Sequence, residues 1–363
     1  MHTTLPRRFY ADPDHYRREL ERFYFNRWIC AGRTDQIPNA GDYFTRSLAD
    51  ESVIVTRDEN GDIHALFNVC RHRGTRLCER SEGHLPLRIQ CPYHSWTYDL
   101  QGHLLAAPHM PPDFSKADYR LHRAGCEMWD GHIFLFLGSS LPALPAPPAL
   151  RDQLGDLRER FAAYRMQDLR RSRRIVYDVK ANWKLIVLNY NECLHCPNLH
   201  PALNRLHHYL AAENVAPTAT YCGGAMGFRP GVETMTIDGA RRRDFLPGLS
   251  ESQRQRVEYY SIYPNLLLTL HPDYMMTHTL WPRGHDRTEI VCEWHFHPDE
   301  MAKPDFQADD AIEFWDQTNR EDWWISEQSQ AGITSRVYQP GPYSTREELL
   351  WSFDEVVRRE AGE

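Results

Sequence analysis

Residues 70–96 read CRHRGTRLCERSEGHLPLRIQCPYHSW. Cys70 and His72 make a C-x-H pair, and after 18 intervening residues Cys91 and His94 make a C-x-x-H pair. Two thiolates and two imidazoles can hold a metal tetrahedrally. From Gly41 to Leu137 the apolar residues fall in short alternating runs: SVIVTR, DIHALFNV, LRIQC, SWTYDL and HIFLFLG. Turn signals such as Glu59-Asn60-Gly61-Asp62 and Gln101-Gly102 separate them. This pattern predicts an all-β domain with the two Cys/His pairs in its loops.

Zinc is one occupant for such a set. The other is a [2Fe–2S] cluster with two cysteines on one iron and two histidines on the other. A structural zinc finger organises a small domain that lacks its own core. Here roughly a hundred residues of strand can pack alone, which favours the cluster. Neutral imidazoles in place of anionic thiolates penalise the reduced state less, and the potential rises to roughly −150 to +300 mV. Backbone N–H groups around Arg73 and Gly74 are expected to donate to the sulfurs and raise it further.

Before this domain, Asp12 suits a helix cap and Pro13 the first helical position, with Tyr16, Leu20 and Phe23 on one face. After it, SSLPALPAPPAL at 139–150 has four prolines and reads as a stiff linker. Leu150, Leu154, Leu157, Phe161 and Tyr164, spaced 4, 3, 4, 3, predict one amphipathic helix. RRIVYDVK predicts a strand, NWKLIVLNYNECLHC a buried helix, 257–300 a strand meander and 308–330 a final long helix. The division is a helical segment over 1–40 packing on the last domain, the β domain over 41–138, a linker over 139–150, and an α+β domain over 151–363. In that last domain an antiparallel sheet packs against helices.

The segment 182–201 reads NWKLIVLNYNECLHCPNLHP. Glu192, His195 and His200 are polar groups in an otherwise apolar stretch, and buried polar groups need partners. His195 and His200 are five apart, wrong for one face of a regular helix, but Pro197 breaks the ladder and lets the second histidine swing back. Two histidines and one carboxylate make the facial triad of non-haem Fe(II) oxygenases. In FWDQTNREDWWISEQSQ, residues 314–330, Asp322 falls on an inward helical stripe with Ile312, Trp315 and Ile325, while Glu321 points about a quarter-turn away. Asp316 and Glu327 are the fallback carboxylates. Cys193 and Cys196 read as core packing, because a ferrous site takes N and O ligands. His295 and His297 read as packing or surface groups.

With 363 residues, 41% hydrophobic and 25% charged, the chain is an ordinary globular protein of about two domains. A net charge of −8 argues against nucleic-acid or anionic-membrane surfaces. No apolar run approaches the roughly 20 residues of a membrane span. The start, MHTTLPRRFYADPDHY, lacks a signal-like stretch, so a cytoplasmic location is expected. Nine scattered cysteines do not suggest a disulfide framework. G-x-G-x-x-G, G-x-S-x-G and H-E-x-x-H are absent. Without a dinucleotide site, electrons from NAD(P)H must arrive through a separate, flavin-containing reductase.

CRHRG and CPYHSW resemble the Rieske fingerprint of ring-hydroxylating oxygenase large (alpha) subunits. The early FNRW, the HCP…HP segment and the final helix resemble the same family, so the likeness covers nearly the whole chain. It implies an α+β protein with an all-β Rieske [2Fe–2S] domain and a helix-grip, START-like catalytic domain. Cys70 and Cys91 would bind the inner iron, His72 and His94 the outer one, and His195, His200 and Asp322 a mononuclear Fe(II) that works with O2. It also implies a homotrimer, in which an acid at the Glu192 position links the Rieske histidine of one subunit to the iron histidine of the next. Electrons would pass by His94, Glu192 and His195. Ring-dihydroxylating members typically carry Asp there, whereas Glu recurs in the branch acting on quaternary ammonium compounds. NREDW, SQAG and PGPYS resemble the glycine-betaine, choline and stachydrine oxygenases of that branch. Tyr259, Tyr260, Tyr263, Tyr274, Trp281, Trp315, Trp323 and Trp324 are candidates for an aromatic cage around a methylated ammonium. The expected reaction is hydroxylation or oxidative N-demethylation of a small betaine-like substrate. Aromatic-ring dihydroxylation is the runner-up, and a non-catalytic Rieske electron carrier or a zinc-binding interaction module stands further off.

Overall fold

The computed structural model describes residues 2–138 and 147–362. Most of the expected linker, 139–146, therefore lies outside the described residues. The chain divides into two compact units, Phe25–Leu150 and Met1–Tyr24 with Arg151–Glu363. The division after the N-terminal helices thus falls at residue 25 rather than 41. The reason is the strand Ile29–Arg33, which pairs antiparallel with His132–Phe136.

The Phe25–Leu150 unit is all β. Four strands run in the order Ile63–Phe67, Glu51–Arg57, Asp42–Leu48 and Glu82–His84. Two three-stranded sheets complete it, one of Arg88–Gln90, Thr97–Asp99 and Leu104–Ala106. Ile54, Leu66, Ile89, Trp96 and Tyr98 fill its core together with Cys70 and Cys91. Asn68 ties the loop down: its side chain donates to the Cys78 carbonyl and accepts from Leu77 and Cys78 N–H.

The other unit is built on a seven-stranded antiparallel sheet. Its order is Arg170–Val179, Arg287–Phe296, Met275–Gly284, Leu266–Leu270, Arg256–Ile262, Tyr221–Phe228 and His207–Asn214. The helices Trp183–Tyr190 and Asp309–Ile333 pack on each other and against this sheet. The meander and the long helix match expectation. The last two strands and a C-terminal helix, Glu348–Ala361, do not appear in the sequence reading. The second strand reads YCGGAMGF, and its glycines hide the alternation that marks a strand.

Two expected helices are shorter. Leu150–Tyr164 breaks into Leu150–Leu154, Leu157–Arg160 and a 3-10 turn at Ala162–Tyr164. Gly155, at φ +54, takes the left-handed conformation that ends the first piece. The five apolar residues still all face inward. The buried helix ends at Tyr190, so Glu192 and His195 sit in a loop and not on a helix. At the N-terminus Asp12 caps Pro13–Glu19 by accepting from the N–H groups of Asp14 and His15. No described helix is long and apolar enough to cross a membrane.

Candidate metal centres and substrate cavity

In the β unit the two Cys/His pairs come from two loops. Cys70 N–H donates to the Thr75 carbonyl, and Cys91 N–H to that of Trp96, which closes each loop tightly. Cys70 and Cys91 are 2% exposed and carry free thiols. His72 is exposed and His94 half-buried, their rings 4.8 Å apart. His72 stacks on Trp96 at 4.8 Å, which fixes its plane.

The donor set fits a cluster. The two thiols are neighbours, and burial pushes that of Cys70 up, so a thiolate there needs a metal to compensate it. Burial, with His72 and Arg73 nearby, pushes the His94 imidazole down and keeps it neutral, as a ligand must be. Its Nδ1 is buried without a hydrogen-bond partner among the described residues. The expected donors to sulfur change, however. Gly74 N–H is taken by the Cys70 carbonyl at 3.0 Å, closing a turn. The groups facing the Cys70 sulfur are the Tyr98 hydroxyl, at 3.4 Å, and the His72 N–H.

In the catalytic unit, His195, His200 and Asp322 offer ligand atoms that all lie within 4.8 Å of one another. Asp322 Oδ1 is 2.8 Å from His200 Nε2 and 3.5 Å from His195 Nε2. Ligands about 2.1 Å from a shared metal and at right angles lie about 3 Å apart, so this spacing fits one ion. The other ring nitrogens are held too. His195 Nδ1 meets Glu192 Oε1 at 2.5 Å, and His200 Nδ1 meets Glu321 Oε2 at 2.6 Å. Against the burial that lowers it, Asp322 and Glu192 raise the His195 imidazole to about 9. His200 is raised against burial by Asp322 and Glu321, and Asp322 is lowered against burial by the two histidines.

The fallback carboxylates lie elsewhere. Asp316 accepts from the Tyr177 hydroxyl, and Glu327 from Lys180 N–H. Glu321, set aside by helical phase, is the residue the sequence reading missed. Its side chain reaches round to the far nitrogen of a ring that its neighbour Asp322 already holds. Cys193 and Cys196 are not separate core residues but a disulfide bracketing His195, with a Cα–Cα separation of 5.0 Å. The three-residue spacing brings their Cβ atoms within bridging range.

A cavity of about 100 Å³ opens beside this cluster. His195, His200, Asp322 and Glu192 form one wall, and the rings of Tyr190, Tyr259 and Trp315 line it as well. Tyr259 lies 6.2 Å from Tyr190 and 6.3 Å from Trp315. Of the eight aromatics proposed for a cage, Tyr259 and Trp315 line the cavity, and Tyr190 was not among them. Tyr260, on the opposite face of its strand from Tyr259, stacks edge-on against Phe161 in the core. Trp324 is exposed, outside this cavity. No lysine or arginine lines the cavity among the described residues.

A family model for the Rieske [2Fe-2S] domain matches residues 27–124, and one for the ring hydroxylating alpha subunit (catalytic domain) matches 166–363. The glycine betaine monooxygenase oxygenase subunit of Pseudomonas aeruginosa is 31% identical over 372 residues, spanning 94% of this chain and 85% of that protein. Among solved structures, a quaternary ammonium Rieske monooxygenase in complex with L-carnitine superposes with a TM-score of 0.81 at 23% identity, covering 99% of this chain and 96% of that one. Naphthalene 1,2-dioxygenase from Rhodococcus superposes with 0.80 at 21% identity, covering 99% and 94%. The backbone is thus common to both kinds of enzyme and does not separate their substrates.

Proposed function

The chain belongs to the Rieske ring-hydroxylating oxygenase alpha-subunit family, and on that premise we propose that it oxidises a small betaine-like quaternary ammonium compound. Rieske-type oxygenases carry a [2Fe–2S] cluster and a mononuclear iron, and use O2 with electrons from NAD(P)H delivered by a reductase. The net reaction turns an N-methyl group, O2, two electrons and two protons into an N-hydroxymethyl group and water. The carbinol then releases formaldehyde and leaves the demethylated amine.

Cys70, Cys91, His72 and His94 would hold the cluster, and His195, His200 and Asp322 the iron. When bound, these groups supply single electrons and the activation of O2 against a C–H bond. The chain's own residues prepare the place. Glu192 and Glu321 hold the Nδ1 positions of His195 and His200, which leaves both Nε2 lone pairs facing Asp322. Tyr190, Tyr259 and Trp315 offer π faces to an ammonium, at about 0.5–2 kcal/mol per ring.

The reading includes a homotrimer in which Glu192 also reaches the neighbouring subunit. Both its oxygens are engaged within the chain, by His195 Nδ1 and Leu194 N–H. Each carboxylate oxygen still has a second lone pair for a donor such as an imidazole. Sedimentation of the holoenzyme at a trimer's mass tests this part.

The observation that carries the proposal is the cavity itself: three rings and two acids, Glu192 and Asp322, with no lysine or arginine lining it among the described residues. The test is product mass spectrometry with iron, O2, NADH and a surrogate reductase, on betaines, choline and carnitine alongside aromatic acids. Loss of a methyl carbon from an ammonium substrate supports the proposal. Two oxygens and two hydrogens gained on an aromatic ring overturn it in favour of a dioxygenase.

A further inference from the structure

His195 has little regular structure to hold it. The helix Trp183–Tyr190 has ended, residues 191–195 lie in neither helix nor strand, and a one-turn helix, Cys196–Leu199, begins after it. His200, by contrast, leads straight into the helix Pro201–Leu206, and its carbonyl accepts from Asn204 N–H at 2.9 Å. What fixes His195 is local. Glu192 meets its Nδ1 and accepts from Leu194 N–H. The Cys193–Cys196 disulfide then closes Leu194 and His195 into a small ring, across which Cys196 N–H donates to the Cys193 carbonyl at 3.1 Å.

The bond reaches both histidines. Cys196 Sγ lies 3.9 Å from His195 Nε2, and the Cys196 carbonyl accepts from His200 N–H at 2.9 Å. Among the described residues the seven other cysteines, Cys70 and Cys91 included, are free. The joined pair is thus the pair astride a candidate iron ligand. A cross-link this close to a ligand removes alternative conformations of the segment that carries it, and a ligand already in place loses less freedom when the metal binds.

We propose that Cys193 and Cys196 form a redox-sensitive positioning site: joined, they hold His195 in place for iron, and opened by a dithiol reductant they weaken its hold. The proposal rests on the reading of His195, His200 and Asp322 as an iron site and adds a control to it. The opening step is thiol–disulfide exchange. The reductant's two thiols become a disulfide, the Cys193–Cys196 bond breaks, and each cysteine sulfur gains one hydrogen. Two electrons and two protons thus pass from the dithiol to the chain, and an added disulfide reverses the exchange. Once the sulfurs part, Cys196 Sγ is no longer held against the His195 ring, and the segment that carries His195 must be ordered again each time iron binds.

The test is chelator competition for the mononuclear iron of the holoenzyme without O2, before and after dithiothreitol treatment and removal of the reductant. Peptide mass spectrometry reads the bond, since the reduced segment is heavier by two hydrogens. Reduction is expected to weaken iron about tenfold, and glutathione disulfide to restore it. The double variant Cys193→Ser with Cys196→Ser should start at the weakened affinity and respond to neither reagent, while the cluster's visible absorbance persists. A bond with a merely structural role would leave iron affinity unmoved in the folded, reduced enzyme. That result overturns the proposal alone, as does a segment that carries no bond before treatment or one that dithiothreitol does not open. A wild-type enzyme that holds no mononuclear iron in either state overturns the iron reading and this proposal with it.

Discussion

In the β unit Cys70 and Cys91 lie inside an apolar core with Ile54, Leu66 and Trp96, while His72 and His94 stand at or near the surface. In the catalytic unit each candidate ligand histidine is gripped by carboxylates on both ring nitrogens, and buried charges support the scaffold around them. Lys184 Nζ, fully buried, meets Glu19 at 2.6 and 2.7 Å. Arg243 bridges Asp273 at 2.9 Å and Asp310 at 2.6 Å. The difference follows from the work of each place. A centre that receives electrons needs its outer ligands near solvent and a rigid, low-polarity seat for its sulfurs. A centre that opens coordination positions to O2 and substrate needs its remaining ligands fixed by strong, directional bonds.

The contrast breaks first at the candidate ligands. Asp322→Ala should remove the mononuclear iron, counted by metal analysis, and lower turnover by about 10³-fold or more, while the cluster's visible absorbance persists. Loss of that absorbance in Asp322→Ala would erase the separation between the two centres.

Next comes the scaffold. Lys184→Met leaves buried Glu19 with only His15 Nε2, 3.5 Å away, as a partner and should cost about 3–5 kcal/mol in denaturant unfolding of the catalytic unit. A change under about 1 kcal/mol would mean that Glu19 finds water or another cation. Glu321→Ala frees His200 Nδ1 and should weaken iron about 10–100-fold by chelator competition, with Glu321→Gln in between.

The smallest effect is a pH dependence. Asp354 is buried, and burial, against the Tyr343 hydroxyl, Arg358 and Lys184, raises its carboxyl to about 7. A raised carboxyl favours the fold while protonated. That contribution is complete below about pH 4 and is lost as pH rises through about 7. Asp354→Asn should therefore stabilise the protein by roughly 1–3 kcal/mol at pH 8 and by nearly nothing at pH 4. Equal effects at both pH values would remove the burial argument.

Spacing alone singled out Cys70, His72, Cys91 and His94, because a loop that closes on a metal needs its ligands two or three residues apart. Helical phase singled out Asp322 across 122 residues of chain from His200, because Ile312, Trp315 and Asp322 share one inward stripe. The same phase argument misjudged Glu321, since a flexible carboxylate reaches further than its Cβ direction suggests. The aromatic cage was legible in kind but not in place. Tyr259 and Tyr260 are adjacent in sequence and face opposite sides of one strand, and which side faces the cavity is decided by tertiary packing. The strand Tyr221–Phe228 was invisible because its glycines carry no hydrophobic signal.

The most direct measurement is a single turnover of the chemically reduced, iron-loaded holoenzyme with methyl-deuterated glycine betaine, reading deuterated formaldehyde by mass spectrometry. Deuterated formaldehyde and dimethylglycine are expected in equal amounts, and none from Asp322→Ala. Untouched betaine, with an aromatic acid converted to a cis-diol by the same enzyme, would contradict it.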